Sequence, residues 1–270
     1  MLTLLIKKIL IIFLILQLNA CSTSAIVFNN LPFLTALRLN EMFSLSDAQE
    51  VIVKQRTEEL QAWLKTDAIH VIIERLSQTK QLWQDGYFHE ASQYFEEGIE
   101  LSIKEVLAAA SPKIISFLLT LDEANASQYL EYNREKSEDW FDYAESQESK
   151  IESRIKQLEK WFGRLSKEQS SRVADIVFLV PSEQKIRIDN NKNWVDNALK
   201  ASLQRDETIL KLWLMNPSIW WQEDYKILKK INRNQNYELV TMMIETMSEE
   251  QQKAVPELLD DWIKKLQDLI

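Results

Sequence analysis

The sequence predicts an all-α protein, a multi-helix bundle of about nine to ten helices in two related halves that could be elongated. Apolar residues recur at steps of three and four along almost the whole chain, which is the period of a helix with one buried face. The 270 residues include only three glycines, which are not clustered, and five prolines. A short motif typical of helix starts also occurs three times. Clustered glycines for a phosphate-binding loop are absent from the sequence, which argues against dinucleotide-binding and P-loop folds.

Residues 1–20 predict a cleaved export signal rather than part of the fold. Lys7 and Lys8 precede an unbroken apolar run at residues 9–16, and a basic start followed by a short apolar stretch is typical of a signal peptide. The run is shorter than the roughly 20 apolar residues that a membrane-spanning helix needs.

The end of this segment, Leu18-Asn19-Ala20-Cys21, resembles the lipobox of bacterial lipoproteins. The resemblance implies that Cys21 becomes the first mature residue and carries a diacylglycerol and an N-acyl chain; we expect no other cofactor. Cys21 is the only cysteine, and lipid attachment explains a thiol that would otherwise be exposed and unpaired. The alternative is an ordinary signal peptide followed by a free thiol. Ser22 replaces the aspartate that is typical of inner-membrane retention, and so implies the periplasmic face of the outer membrane in a Gram-negative bacterium.

The mature chain is strongly acidic. Cleavage after Ala20 removes two of the 32 basic residues and none of the 41 acidic ones, which leaves a net charge of −11. Such a surface repels nucleic-acid phosphates and anionic headgroups. We therefore expect no nucleic-acid partner, and membrane attachment through the lipid rather than through a basic patch.

The domain organisation begins with a lipidated tether at residues 21–31, which would reach about 35 Å if fully extended and in which Phe28 and Leu31 are expected to pack on the body. A helical N-terminal half at 32–163 and a C-terminal half at 164–270 follow, unless the two form one continuous domain.

Turn residues predict the first helix boundaries. Gly86 separates a helix at 67–85 from one at 87–110, and Gly98 inside the second helix predicts a close helix crossing. Ser111-Pro112 is predicted to begin another helix, with serine as N-cap and proline at the first helical position.

Later boundaries follow in the same way. An apolar stripe from Trp140 predicts one long helix over 137–162, with Gly163 as its left-handed C-terminal residue. The β-branched run Val173–Val180 could be a helix or a strand; we predict a buried helix ending at Pro181, because a lone strand would have no partner. Asn216-Pro217 ends one helix and begins the next.

One motif, apolar-Ser-x-x-Gln, occurs three times and predicts helix capping boxes. In such a box the serine hydroxyl accepts a hydrogen bond from the third helical N–H, and the glutamine side chain bonds back to the serine N–H. The alternative to related modules is simply good helix termination. The three predicted boxes are Ser46 with Gln49, Ser166 with Gln169, and Ser248 with Gln251.

Parts of the sequence resemble two known protein families. The three boxes resemble the Leu-Thr-x-x-Gln signature of the Spy/CpxP-type periplasmic helical chaperones. A wider resemblance covers about residues 21–170, through Cys21-Ser-Thr-Ser, Phe28-Asn-Asn-Leu-Pro-Phe-Leu, Leu39–Leu45 and Leu60-x-x-Trp63. These segments are similar to an uncharacterised proteobacterial lipoprotein family, the domain of unknown function six-two-seven-nine. That resemblance implies a helical fold and an envelope location, and no chemistry.

The strongest candidate for a partner patch is Trp220-Trp221. Neighbouring residues of a helix point about 100° apart, so one of the two indoles is expected to reach the surface or a groove, and tryptophan is enriched at binding hot spots. The other tryptophans are expected to pack in the core.

Candidate catalytic and metal-binding residues are sparse, and we assign none. Asp67, His70 and Glu74 share a helix face, but a di-metal bundle needs a second such set. His89-Glu90 is expected at a helix start. An acidic cluster surrounds Trp140 and could bind a cation or flank a sugar, although a solvated helix face explains it better: Glu138, Asp139, Asp142 and Glu145.

The sequence therefore predicts a non-enzymatic outer-membrane lipoprotein that binds or scaffolds another envelope protein. A chaperone-like envelope stress protein is the alternative, and a metal-dependent enzyme is the third.

Overall fold

The computed structural model describes the backbone of residues 21–141 and 146–270 and the side chains of 25–136 and 146–270. The described residues contain no strand, which confirms the all-α prediction. They form twelve α-helical segments: α1 (Cys21–Asn29), α2 (Leu31–Phe43), α3 (Asp47–Trp63), α4 (Ile69–Gln84), α5 (Phe88–Leu118), α6 (Glu123–Phe141), α7 (Gln147–Phe162), α8 (Lys167–Ile176), α9 (Glu183–Leu203), α10 (Glu207–Met215), α11 (Glu223–Thr246) and α12 (Glu249–Gln267). A π-helical turn (Leu64–Ala68) joins α3 to α4, and a 3₁₀ turn (Pro217–Trp220) follows α10.

The chain from α1 into α2 is an almost continuous helix, because the amide of Asn30 donates to the Ile26 carbonyl at 3.1 Å and the amide of Leu34 donates to the Asn30 carbonyl at 3.0 Å. Phe28 is buried beneath the end of α3, where the Gln61 side chain donates to the Phe28 carbonyl. The tether is therefore not extended: as a helix of nine residues it spans about 14 Å at 1.5 Å per residue.

Two hydrophobic clusters form the interior. The first core lies among α2, α3, α6, α9, α10 and the C-terminal end of α5, and its largest members are Phe43, Tyr129, Trp194 and Trp213. The second core lies among α4, α7, α8, α11, α12 and the first turns of α5, and contains Trp83, Phe162, Leu239 and Leu259. Each core takes residues from both sides of Gly163, where the boundary between the halves was predicted.

The two cores repeat one arrangement of four helices. In the first core α2 and α3 precede the pair α5 and α6, and α3 packs on α5 while α2 packs on α6. In the second core α7 and α8 precede α11 and α12, and the contacts are equivalent: α8 packs on α11 and α7 on α12. The remaining helices cross over, since α4 packs on α12 while α10 packs on α5 and α9 on α6. Helix α4, from the first half of the chain, therefore packs in the second core, and α9 and α10, from the second half, pack in the first core.

The predicted long helix over 137–162 is wrong, because α6 ends at Phe141 and α7 begins at Gln147. Ser146 is the N-cap of α7, and its hydroxyl accepts from the amide of Ser149 at 3.1 Å. The predicted helix ran through Ser146, which instead caps the start of α7.

Ser111-Pro112 does not begin a helix. The single helix α5 runs through Pro112, and Ser111 is buried within it. Because α5 contributes to both cores, its packing outweighs the cost of an interior proline, which is about 3 kcal/mol in an isolated helix.

The predicted buried helix ending at Pro181 is also wrong. Helix α8 ends at Ile176, and Val177 is extended, with φ −84° and ψ 123°. Glutamine side chains replace the strand partner that the sequence lacks: Gln147 accepts from the Leu179 amide at 2.6 Å and donates to the Val177 carbonyl at 2.6 Å. On the other side, Gln235 donates to the Phe178 carbonyl at 3.4 Å.

Among the residues that the structure describes, none of the helices is both long enough and apolar enough to cross a membrane.

Candidate partner-binding site

The Trp220-Trp221 pair lies where the 3₁₀ turn leads into α11. Both indoles are half-buried rather than one buried and one exposed. Trp220 packs against the first core. Trp221 meets the ring of Tyr225 edge to face, with ring centroids 5.4 Å apart.

Two asparagines of α9 hold this turn in place. The Asn193 side chain donates to the Trp220 carbonyl at 3.0 Å, and the Asn190 side-chain oxygen accepts from the amide of Gln222 at 2.8 Å. Asn190 is almost fully buried. Two side chains of α9 therefore hold the backbone at Trp220 and at Gln222, on either side of Trp221.

Exposed apolar side chains follow each other along α10 and the turn. Ile219 is 56% exposed, and Leu212 and Met215 are each 37% exposed. Together with the half-buried tryptophans they form what we name the Trp turn: Leu212, Met215, Ile219, Trp220 and Trp221. It is an apolar edge whose backbone is hydrogen-bonded to α9, and tryptophan and exposed apolar side chains of this kind are enriched where proteins bind each other.

A buried ionic network borders the Trp turn on the side of Tyr225. Lys150 donates to the Glu183 carboxylate at 2.7 Å and to the Phe178 carbonyl at 3.1 Å, and Arg187 bonds to the other Glu183 oxygen. Burial alone would raise the pKa of the Glu183 carboxyl, but hydrogen bonds from Lys150 and Arg187 outweigh it and hold that pKa below its ordinary value. Burial also raises the pKa of the Tyr225 hydroxyl, against the charge of Arg187. The sequence did not indicate this network, because Lys150 lies on α7 while Glu183 and Arg187 lie on α9, and no motif links the two helices.

The three capping boxes are present, with both reciprocal hydrogen bonds in each. In the second core the boxes are also bonded to each other. Gln169 donates to the carbonyl of Thr246, the last residue of α11, and Gln251 donates to the carbonyl of Arg164, which lies in the connection before α8. The box residues therefore join helix starts within the interior and are not a surface feature.

The first core has a matching pair in which the second cap does not follow the apolar-Ser-x-x-Gln motif. Asp122 and Asn125 cap α6 reciprocally, with bonds of 2.9 and 3.1 Å. Gln49 donates to Asn125 at 2.8 Å and to the Thr120 carbonyl at 2.8 Å, while Asn125 donates to the Phe43 carbonyl at 2.9 Å. The signal was present in Leu121-Asp-Glu-Ala-Asn125, in which aspartate and asparagine replace serine and glutamine.

The other predicted residues do not come together into a site. The side chains of Cys21 and Ser22 lie outside the described residues, as do those of the acidic cluster Glu138, Asp139, Asp142 and Glu145. His70 and His89 are exposed on different helices. In the part of the chain whose side chains are described, no three His, Cys, Asp or Glu residues are grouped as metal ligands.

Comparison with known proteins identifies one family. The model of the family of unknown function DUF6279 matches residues 41–226, which include the buried residues of the first core except Ala36, the buried ionic network and the Trp turn. No curated protein and no solved structure shows significant similarity to the chain.

Proposed function

Since the chain belongs to DUF6279, a family of unknown function, we propose a role from its own residues: it is a lipid-anchored periplasmic protein of the outer membrane that binds or scaffolds another envelope protein, without catalysis. Its partner is expected to bind at the Trp turn. The membrane attachment in this proposal rests on the signal segment and on the lipobox-like Leu18–Cys21.

The observation that carries the binding role is that Asn193 and Asn190 of α9 hydrogen-bond to the backbone of Trp220 and Gln222. Binding usually costs free energy when side chains and loops become ordered, about 0.5–1.5 kcal/mol for each immobilised side chain. Here Asn190 and Asn193 fix the backbone of the turn beforehand, and the indoles are already half-packed. Apolar side chains held in this way can bind a partner without that ordering cost.

The electrostatic surroundings support a protein partner of defined chemistry. Glu223 and Asp224 begin α11 directly after the Trp turn, in a chain with an overall acidic charge. We therefore expect the partner surface to present apolar side chains bordered by basic ones.

The test is site-specific photo-crosslinking in intact cells. A photoreactive phenylalanine analogue at position 219 should yield one discrete adduct with another envelope protein. The same analogue at Tyr237, which is 70% exposed on α11, serves as the matched control and should give no such adduct.

Substitutions then separate binding from folding. Ile219→Glu adds a charge to an exposed position of the patch and should abolish co-purification of the crosslinked partner, whereas Tyr237→Glu should not. The pair Trp220→Ala and Trp221→Ala should also lose the partner, but Trp220 packs on the first core, so this variant needs a check of its melting temperature. A partner retained by Ile219→Glu would exclude the Trp turn. Many unrelated unfolded clients in place of one adduct would favour the chaperone-like alternative.

A further inference from the structure

A row of exposed apolar side chains lies on one face of α1 and α2. Ile26 is 60% exposed, Phe33 58%, Leu34 36% and Leu37 57%. Because the two helices are almost continuous, the spacings of seven, eight and eleven residues from Ile26 place the four on one side. We name this face the α1–α2 stripe.

The stripe is also uncharged. Between Cys21 and Phe43 the only charged residues are Arg38 and Glu41, and these two form an ion pair with each other. Charged residues make up 27% of the whole chain. The stripe is therefore a neutral apolar face on an otherwise acidic protein.

The opposite face of the same helices is fixed to the body. Phe28, Ala36, Met42 and Phe43 are each at most 2% exposed, and Lys65 lies 5.5 Å from the centre of the Phe28 ring. The stripe thus cannot turn inward without removing these side chains from the interior.

We propose that the α1–α2 stripe is a membrane-contact surface that lies in the lipid interface of the bilayer holding the Cys21 anchor. The proposal rests on the lipid anchor of the proposed function. Ile26 follows Cys21 by five residues, about 7.5 Å along a helix, so acyl chains on Cys21 would keep the stripe beside the bilayer. The acidic remainder of the surface is repelled by anionic headgroups, which turns the neutral face toward the lipid. Interfacial helices bury such a face about 5–10 Å deep.

The test uses the full lipidated protein in vesicles of phosphatidylethanolamine and phosphatidylglycerol. Cys21 is the only cysteine and its thiol is consumed by the lipid, so one introduced cysteine can carry a nitroxide alone. Leu37→Cys and Phe33→Cys report on the stripe, and Tyr237→Cys, exposed on α11, is the matched control. On transfer from detergent to vesicles, labels at 33 and 37 should lose collisions with aqueous nickel complexes and keep those with oxygen, while the label at 237 stays accessible to nickel.

Three outcomes overturn the proposal, and each can be told apart. Nickel access at 33 and 37 in protein of confirmed lipidated mass means that the stripe faces water, and leaves the anchor intact. Spin–spin broadening at 37 that is already present in detergent means that a second copy covers the stripe. An unmodified Cys21 in the mass spectrum, measured before reconstitution, removes the anchor itself and with it the proposed membrane attachment.

Discussion

The indole nitrogen of Trp83 donates a hydrogen bond to the carbonyl oxygen of Gln252 at 2.8 Å. In an α-helix that carbonyl would accept from the amide four residues later, which here is Pro256 and has no N–H. Trp83 belongs to α4 and Gln252 to α12, so a side chain from the first half of the chain replaces a helical hydrogen bond in the second half. The interior proline of α12 is thus accommodated by a contact, within the second core, between the two halves of the chain.

Trp83→Phe should lower the free energy of unfolding by about 2–3 kcal/mol. The ring still fills most of the site beside Phe88, but the Gln252 carbonyl loses its partner, which costs about 1–3 kcal/mol for a buried group. In a Pro256→Ala background a backbone amide is restored four residues after Gln252, so the same substitution should cost about 1 kcal/mol less. Urea denaturation of the four proteins of this double-mutant cycle measures the difference.

Trp262→Phe is the matched control for this cycle. Trp262 lies on the same helix as Pro256, and its buried indole nitrogen has no hydrogen-bond partner among the described residues. Its substitution should cost less than that of Trp83 and should not depend on residue 256. Equal costs of Trp83→Phe in both backgrounds would show that the hydrogen bond does not compensate for the proline.

The paired boxes predict a strong energetic coupling between Gln169 and Gln251. Each amide donates to the side-chain oxygen of the other, at 2.9 and 3.0 Å, and both side chains are buried. Gln169→Ala should lower the unfolding free energy by about 2–4 kcal/mol, since it removes a cap and leaves buried polar groups unsatisfied. The double variant with Gln251→Ala should lose about 1–2 kcal/mol less than the sum of the two single losses.

Two comparisons make this result specific. Gln93→Ala, on the exposed face of α5, should change stability by no more than about 0.5 kcal/mol. Gln49 pairs with Asn125 in the first core, away from Gln169. The stability losses of Gln49→Ala and Gln169→Ala should therefore add without coupling. Additive losses for Gln169 and Gln251 would contradict a role for their mutual bonds.

A feature of the fold could be predicted from the sequence where the residues that determine it lie close together in the chain. The boxes at Ser46, Ser166 and Ser248 were readable because a cap is decided within four residues. The pairing of Gln169 with Gln251 spans 82 positions in the chain and leaves no local trace. A buried helix was predicted for the extended segment after Ile176 for the same reason. The hydrogen-bond partners of this segment, Gln147 and Gln235, lie on helices far away in the sequence.

The Trp turn shows the same limit. The residue pair Trp220-Trp221 and the preceding Asn216-Pro217 break were visible in the sequence, and the structure places the predicted break at the end of α10. The hydrogen bonds that hold its backbone could not be predicted, because Asn190 and Asn193 lie on α9, and only the folded chain brings them next to the turn.

Glu183→Gln should lower the unfolding free energy at neutral pH and make that free energy less dependent on pH in the acid range. Loss of the carboxylate leaves the buried Lys150 ammonium without its counter-ion, which costs about 3 kcal/mol. The lowered pKa of Glu183 contributes stability that is fully present above its unfolded-state pKa of about 4.3 and is lost as the pH falls through the folded-state pKa. Unfolding free energies measured from pH 7 down to about pH 3 should therefore converge for the two proteins at the acid end.

Glu152→Gln is the control for the acid dependence. Glu152 pairs with Lys156 on the surface of α7, where both side chains are about two-thirds exposed. Solvent screens such a pair, so this variant should follow the wild-type curve. Parallel curves for Glu183→Gln and wild type down to the lowest pH would mean that Glu183 is not the linked group.

Gly98→Ala should stabilise the protein by about 0.5–1 kcal/mol, the helix-propensity difference between the two residues. The sequence predicted a close helix crossing at this position. In the structure the nearest atoms to an added Cβ belong to the side chain of Arg75 on α4, at 3.6–3.9 Å, which is ordinary van der Waals contact. The crossing therefore has room for a methyl group, and thermal unfolding of Gly98→Ala should show a raised melting temperature.

Gly163→Ala should have the opposite effect although it meets no steric obstacle. No heavy atom outside the adjoining residues lies within 4 Å of its added Cβ, but the backbone has φ 72° and ψ −166°. Only glycine adopts this region of backbone space readily, and other residues are destabilised there by about 1–3 kcal/mol. It differs from the left-handed helical conformation that the sequence predicted for Gly163. A lowered melting temperature for Gly163→Ala beside a raised one for Gly98→Ala would separate backbone strain from packing. Stabilisation by both substitutions would instead mean that the connection between α7 and α8 relaxes to a conformation that alanine accepts.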